Sequence, residues 1–163
     1  MKKYIFILLF FIPVAGFSQL VGVAGQWTKF EGDSHFQFNA SASFPYLNNL
    51  GDKTCWMFGG GVDYLSGSTT VSGLNIKPAQ FVITSANIFG VKSYTIMLGA
   101  DAGYNFNFNH GNDGIILTPN IYMDYKIFYV KAGYDYNTSH NEGQFFVRAG
   151  LGLGVGFFKM FKR

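Results

Sequence analysis

Cys55 is the only cysteine in the chain, so no disulfide framework can hold it together. Charge is scarce as well: 12 Lys and Arg and 9 Asp and Glu make up 13% of 163 residues, against a hydrophobic fraction of 48%. A disordered chain needs the opposite balance, low hydrophobicity with high charge. The formal charge of +3 draws on Lys2 and Lys3, and no basic stripe runs through the rest, so nucleic acid has no electrostatic footprint here. The body of the chain also has no long apolar helix. What is plentiful is aromatic side chain and glycine: 19 Phe, 10 Tyr, 2 Trp and 21 Gly, in a length that suits one domain.

The first 18 residues read as a targeting segment. Met1-Lys2-Lys3 gives a positive start, Tyr4 to Val14 gives an apolar core, and Gly16 and Ser18 stand at the −3 and −1 positions of a cut before Gln19. The apolar core is too short for a helix across a bilayer, which takes about 20 residues. The expected mature domain is 19–163, with no internal boundary.

From Gln19 onward the pattern alternates with period two, which places successive side chains on opposite faces of a strand. In Gln144 to Phe158 one face reads Phe145, Val147, Ala149, Leu151, Leu153, Val155, Phe157, and the other is nearly bare glycine. Similar alternation runs through Val21 to Lys29, His35 to Phe44, Trp56 to Leu65, Tyr94 to Phe108, Ile115 to Lys126 and Phe128 to Tyr136. Gln80 to Phe89 is extended, but Asn87 spoils one facing and Gln80 and Thr84 the other, which suggests a bulge. Pro119 sits within its strand pattern although proline favours edges and bulges. Turn chemistry separates the segments, and the longest connection at the outer end is Ser66 to Lys77, rich in Ser, Thr and Gly. The expected fold is all-β, an eight-stranded antiparallel up-and-down barrel.

The polar face holds mostly Gly, Asn, Ser, Thr and Asp, far from the Lys- and Glu-rich surface of a soluble protein. The apolar face carries large residues that would overfill an eight-stranded interior, which has room only for filling side chains. The large residues are therefore expected to point outward, into lipid, making this a transmembrane barrel. A soluble periplasmic ligand-binding barrel is the competing architecture. With both termini in the periplasm, one aromatic girdle gathers Phe44, Trp56, Tyr94, Tyr125, Phe128 and Phe157, and the other Trp27, Phe36, Tyr64, Phe106, Tyr136 and Phe145.

A cleavable signal, eight alternating strands, aromatic rims and a Gly-rich last strand ending near Phe157-Phe158 resemble the small outer-membrane β-barrels of the OmpA/OmpX type. Phe17-Ser18-Gln19 is similar to the signal ends of Bacteroidota. The resemblance implies outer-membrane location and a filled interior. One departure is that the chain continues past these aromatics to Lys159-Met160-Phe161-Lys162-Arg163.

Facing assigns Asp63, Asp101, Asp124 and Asp135 to the interior with Lys131 and Arg148, in a network with Gln26, Gln37 and Asn120. Charges removed from water need partners, so this network is expected to fill the lumen. Four carboxylates against two interior cations also allow a narrow cation-preferring pore. His35, His110 and His140 fall at the outer rim near Asp33, Asp113 and Glu142, without a spacing that defines a metal site. Ser139-His140 is a rim candidate for catalysis by location alone, since sequence neighbours on alternating faces are poorly disposed to meet. Neither catalysis nor a cofactor is expected. The functional expectation is a structural or accessory outer-membrane protein in contact with lipid and with a larger outer-membrane complex, which the outward alanines Ala40, Ala42, Ala100, Ala102, Ala132 and Ala149 would admit closely. A porin-like small pore and a rim-located enzyme are the alternatives.

Overall fold

The computed structural model describes residues 20–50, 54–85, 94–109, 111–125 and 127–153. The expected signal peptide, His110, Phe157 and the C-terminal extension lie outside the described residues. Eight antiparallel strands follow in order: β1 (Leu20–Phe30), β2 (Asp33–Leu50), β3 (Thr54–Leu65), β4 (Gly73–Ser85), β5 (Tyr94–Phe106), β6 (Gly114–Tyr125), β7 (Phe128–Asn137) and β8 (Glu142–Leu153). Each pairs with its neighbour in sequence, and β1 pairs with β8, so the sheet is a closed barrel. Closure matters because it leaves no strand edge with unpaired amides. Leu20 of β1 and Leu153 of β8 lie at one end, called here the terminal end. The connections Glu31–Gly32, 66–72, 107–113 and 138–141 lie at the other, the loop end.

The period-two pattern fixes which way each residue points. On β1, Val21, Val23 and Trp27 are exposed outside while Ala24, Gln26 and Thr28 are buried inside. On β2, Phe36 is 79% exposed while Gln37 beside it is 1% exposed. The exterior is therefore a nearly continuous apolar coat, and the buried interior is mainly polar. Trp27, Phe44, Tyr64, Phe106, Tyr125, Phe128 and Phe145 all stand exposed on the coat, and Trp56 and Tyr136 are half-buried. The side chain of Tyr94 is not among those described. At the loop-end rim Trp27 and Phe145 meet edge to face, with ring centroids 6.2 Å apart. Three outward glycines have aromatic rings laid over them: Phe36 over Gly25, Tyr46 over Gly60 and Tyr134 over Gly143. A ring over bare backbone covers hydrogen-bonded groups that a glycine alone would leave open.

Two strand boundaries correct the sequence reading. The fourth strand is not Gln80 to Phe89; it begins at Gly73, and residues 86–89 lie outside the described residues. Between β3 and β4, Gly59 pairs with Gln80 but Gly61 pairs with Lys77, so Pro78 and Ala79 together oppose Gly60. This is a β-bulge, and Pro78 stands where the missing N–H is tolerated. The bulge reverses the facing: Asn75 and Lys77 are inward before it, and Phe81 and Ile83 are outward after it. No single alternation could describe this strand. β2 likewise runs past Phe44 to Leu50, through a register shift between Pro45 and Leu47. Pro119 causes no such shift; it stays opposite Ala100 in a regular β5–β6 register.

Gly73, where β4 begins, has φ of +84°, and a Cβ there would run into the backbone of Phe106 and Phe108. Gly32, in the two-residue β1–β2 turn, has φ of +94° but open space around it. Gly32→Ala should therefore cost about 1–2 kcal/mol from the left-handed backbone alone. Gly73→Ala should add roughly 1–3 kcal/mol of overpacking. Urea unfolding of the two variants in lipid vesicles should place Gly73→Ala clearly below Gly32→Ala, and equal midpoints would contradict the close approach.

Candidate functional site

The lumen is built in three levels along the barrel axis. The middle level is a belt of charge. Lys77 Nζ donates to Asp63 Oδ2 at 2.6 Å and to Asp101 Oδ2 at 3.2 Å. Lys131 Nζ reaches Asp101 Oδ2 at 2.8 Å, and Arg148 Nη1 reaches Asp63 Oδ2 at 3.4 Å. Arg148 also donates through Nε to Gln26 Oε1 at 2.9 Å, with its guanidinium carbon 5.4 Å from the centre of the Phe146 ring. These side chains are nearly sealed from solvent, so each ion depends on its partners for what hydration no longer supplies. The belt crosses five strands, and neighbouring glycines make room for it. Gly61 is the register partner of Lys77, and a Cβ on Gly103 would press at 3.0 Å on the Lys77 Cα and Cγ atoms.

On the loop side of the belt the lumen is filled by amides and hydroxyls. Gln26 Nε2 donates to Thr28 Oγ1 and Gln37 Oε1, and Thr28 Oγ1 donates to the same Gln37 oxygen at 2.6 Å. The connection 66–72 then folds down into the barrel mouth. Thr69, Thr70, Val71 and Ser72 are all at most 1% exposed. Gln37 Nε2 donates to the Ser66 carbonyl at 2.8 Å, Asn107 Nδ2 to the Thr69 carbonyl at 3.0 Å, and Thr70 Oγ1 to Glu142 Oε2 at 2.5 Å. Val71 packs with Leu65 and Ile116, so the strap is held by an apolar contact as well as by hydrogen bonds. Asp135 lies at this level, accepting from Thr118 at 2.7 Å and from Gln144 at 3.4 Å.

On the terminal side the lining becomes apolar. Met57 and Met97 pack with Val82 and Tyr122, and the Tyr122 ring stacks on Tyr129 at 5.5 Å. A cavity of about 80 Å³ lies between these side chains and the belt.

The structure thus brings Asp63, Asp101, Lys131 and Arg148 into one cluster and sets Asp135 apart with Thr118. Asp124 occupies β6 opposite Tyr129, and its side chain is not among those described. The residue that sequence reasoning missed is Lys77. Placed at the end of a solvated outer loop, it instead sits buried between two aspartates inside the barrel. The signal that could have found it is Pro78: a proline inside a strand is a candidate bulge position, and a bulge turns the preceding residue to the other face. Lys77 also changes the charge count. The belt holds three cations against Asp63 and Asp101, so the excess of carboxylate expected of a cation-preferring conduit is not present among the described residues. The connection 66–72, expected as part of the outer connection Ser66 to Lys77, folds into the barrel mouth.

The rim candidates do not come together. His140 Nε2 lies 3.0 Å from the Asp113 carbonyl, whereas Ser139 Oγ accepts from the Ile115 amide at 3.2 Å. Among the described residues no group of three His, Cys, Asp or Glu side chains is placed to hold a metal ion.

The fold and lumen define a closed eight-stranded antiparallel barrel, apolar outside and polar within. No protein-family model matches the chain, and no curated protein matches it. A solved structure similar to it is that of Ail, the attachment invasion locus protein of Yersinia pestis, in complex with the heparin analogue sucrose octasulfate. The two share 14% identity over 83% of this chain and 97% of that one, with a TM-score of 0.26.

Removing Lys77 would leave Asp63 with only the 3.4 Å contact to Arg148, while removing Lys131 leaves Asp101 its contact with Lys77. Breaking a buried pair from one side costs roughly 3–5 kcal/mol. Lys77→Met should approach that loss, and Lys131→Met should cost clearly less, as read by urea unfolding in lipid vesicles. The reverse order would show that Lys77 is not the hub.

Proposed function

We propose that this chain is a non-enzymatic integral outer-membrane protein, a lipid-embedded barrel that serves as a structural or accessory subunit and does not conduct. The observation that carries the reading is the inversion of the usual solvent relation. Large apolar side chains, among them Phe36, Phe38, Leu98, Ile115, Leu117, Ile121 and Leu151, cover the outside, while Gln, Asn, Thr and paired ions fill the inside. Water would penalise such a coat, since exposed apolar patches on soluble monomers rarely exceed a few hundred Å². Lipid suits it, because every strand has its backbone partners within the sheet. The even strand number sets both ends of the described barrel on one side, and the signal-like first 18 residues favour the periplasm as that side.

The non-conducting part of the reading rests on two successive obstructions, the strap 66–72 at the loop end and the charge belt below it. The half-buried alanines Ala40, Ala42, Ala102 and Ala132 leave shallow places on the coat, consistent with close approach by another membrane protein.

Heat-modifiable gel mobility and recovery in the outer-membrane fraction are expected; a soluble periplasmic fraction would overturn the location. In planar bilayers the purified protein should show no steady conductance, and regular conductance steps would replace the plugged reading with the porin-like one. Crosslinking in mild detergent should recover a second outer-membrane protein, and monomer alone would remove the accessory-subunit role.

A further inference from the structure

We infer that the cavity on the terminal side of the charge belt is a binding site for a small amphiphile with a carboxylate head and a short apolar chain. The walls and the ceiling differ in chemistry, as such a ligand requires. Met57, Val82, Met97 and Tyr122 form an apolar wall, and Lys131 and Arg148 reach the cavity from the belt. Asp63 and Asp101 also border it, but each is already held by two cations. Among the described residues, Lys77, Lys131 and Arg148 thus meet only these two carboxylates at ion-pair distance. Asp135, the remaining described interior carboxylate, is turned to Thr118 and Gln144 on the loop side.

An independent sign is that two of the buried polar atoms left without partners belong to residues that line the cavity. Tyr129 is 6% exposed and lines the cavity, and its hydroxyl, near Ser41 and Arg148, makes no well-formed hydrogen bond among the described residues. Gln80 Oε1, on the opposite side of the lining, is likewise buried and unpaired. Buried polar groups are nearly always satisfied, so each such exception asks for a missing partner. A carboxylate accepts from the Tyr129 hydroxyl and from the cations, and a water carried with it can donate to Gln80. The size sets the chain length. At about 80 Å³ the cavity is well below the 300–1,000 Å³ typical of drug-sized ligands, so a short chain is the fit.

The full chain in phosphatidylcholine nanodiscs, labelled with ¹³C at its methionine methyls, provides the test, with sodium hexanoate as probe. Met57 and Met97 face the cavity, whereas Met123 is on the lipid side and reports partitioning into the bilayer. Hexanoate should shift the Met57 and Met97 signals saturably and leave Met123 in place. Hexanol and hexyltrimethylammonium should bind at least tenfold more weakly. Tyr129→Phe keeps the ring that stacks on Tyr122 and removes only the hydroxyl, so thermal stability should change little. Its hexanoate affinity should fall about tenfold, the scale of one hydrogen bond to a charged group. Equal shifts at Met123, equal binding of the ammonium probe, or undiminished affinity in the tyrosine variant would each overturn the inference. The probe comparison needs no variant, so it decides the matter even where a substitution impairs folding. A site that fails while the protein stays membrane-embedded and silent in bilayers would leave the proposed function untouched.

Discussion

Pairing of β1 with β8 is the constraint on which the rest depends. Once the sheet closes, no backbone edge remains, and every residue in a regular stretch of strand is committed to the inside or the outside. An interior enclosed by eight strands is narrow, so the bulky half of each alternating pair must go out. The same constraint explains the glycines. Inward ones such as Gly61 and Gly103 give room to long side chains crossing the lumen, and outward ones such as Gly25 and Gly143 receive an aromatic ring from a neighbouring strand. Composition, facing and packing are thus three views of one geometric condition.

Closure also creates an electrostatic problem, because polar side chains turned inward lose bulk water. The barrel answers it differently along its axis. Near the loop end, mostly neutral amides and hydroxyls hydrogen-bond one another and the inserted strap. At the middle, full charges are brought together, and the arrangement works only because Lys77 lies within reach of both aspartates. Its position depends in turn on the β4 bulge at Pro78 and Ala79, since an unbroken strand from Phe81 back would turn Lys77 outward. A covalent feature of one residue, the absent N–H of Pro78, is linked in this way to the charge balance of the whole interior.

Most of the fold was legible because facing is a local property with a short period. Alternation alone separated Phe36 from Gln37 and Phe145 from Gln144, and it placed Asp63, Asp101, Lys131 and Arg148 on the inward side. What escaped was whatever breaks the period or crosses the lumen. The β4 bulge scrambled the phase around Gln80, and the reading of Lys77 as a loop residue followed from that. The strap escaped for a different reason: Ser, Thr and Gly serve a solvated turn as well as a plug. Only the barrel mouth, assembled from Gln37, Asn107, Glu142 and Gln144 on two strands and a connection, decides between them. Contacts of that kind span up to 74 residues of sequence, as between Val71 and Gln144, and have no local signature.

The three levels divide the interior unequally. Toward the loop end the strap and its amide partners occupy the space, and the apolar contact of Val71 with Leu65 and Ile116 resists its withdrawal. Toward the terminal end, Gly22, Gly59 and Gly152 line a void instead of filling it. At Gly22 and Gly152 a Cβ would press on the Tyr129 ring, at 2.8 Å and 3.2 Å, so glycine there gives that ring its place beside the void. A wall of methionine and tyrosine beneath a belt of buried cations is a poor filler and a reasonable receptacle. On the reading proposed above, a ligand of the lumen belongs on the terminal side of the belt, with the belt and the strap lying between it and the loop end.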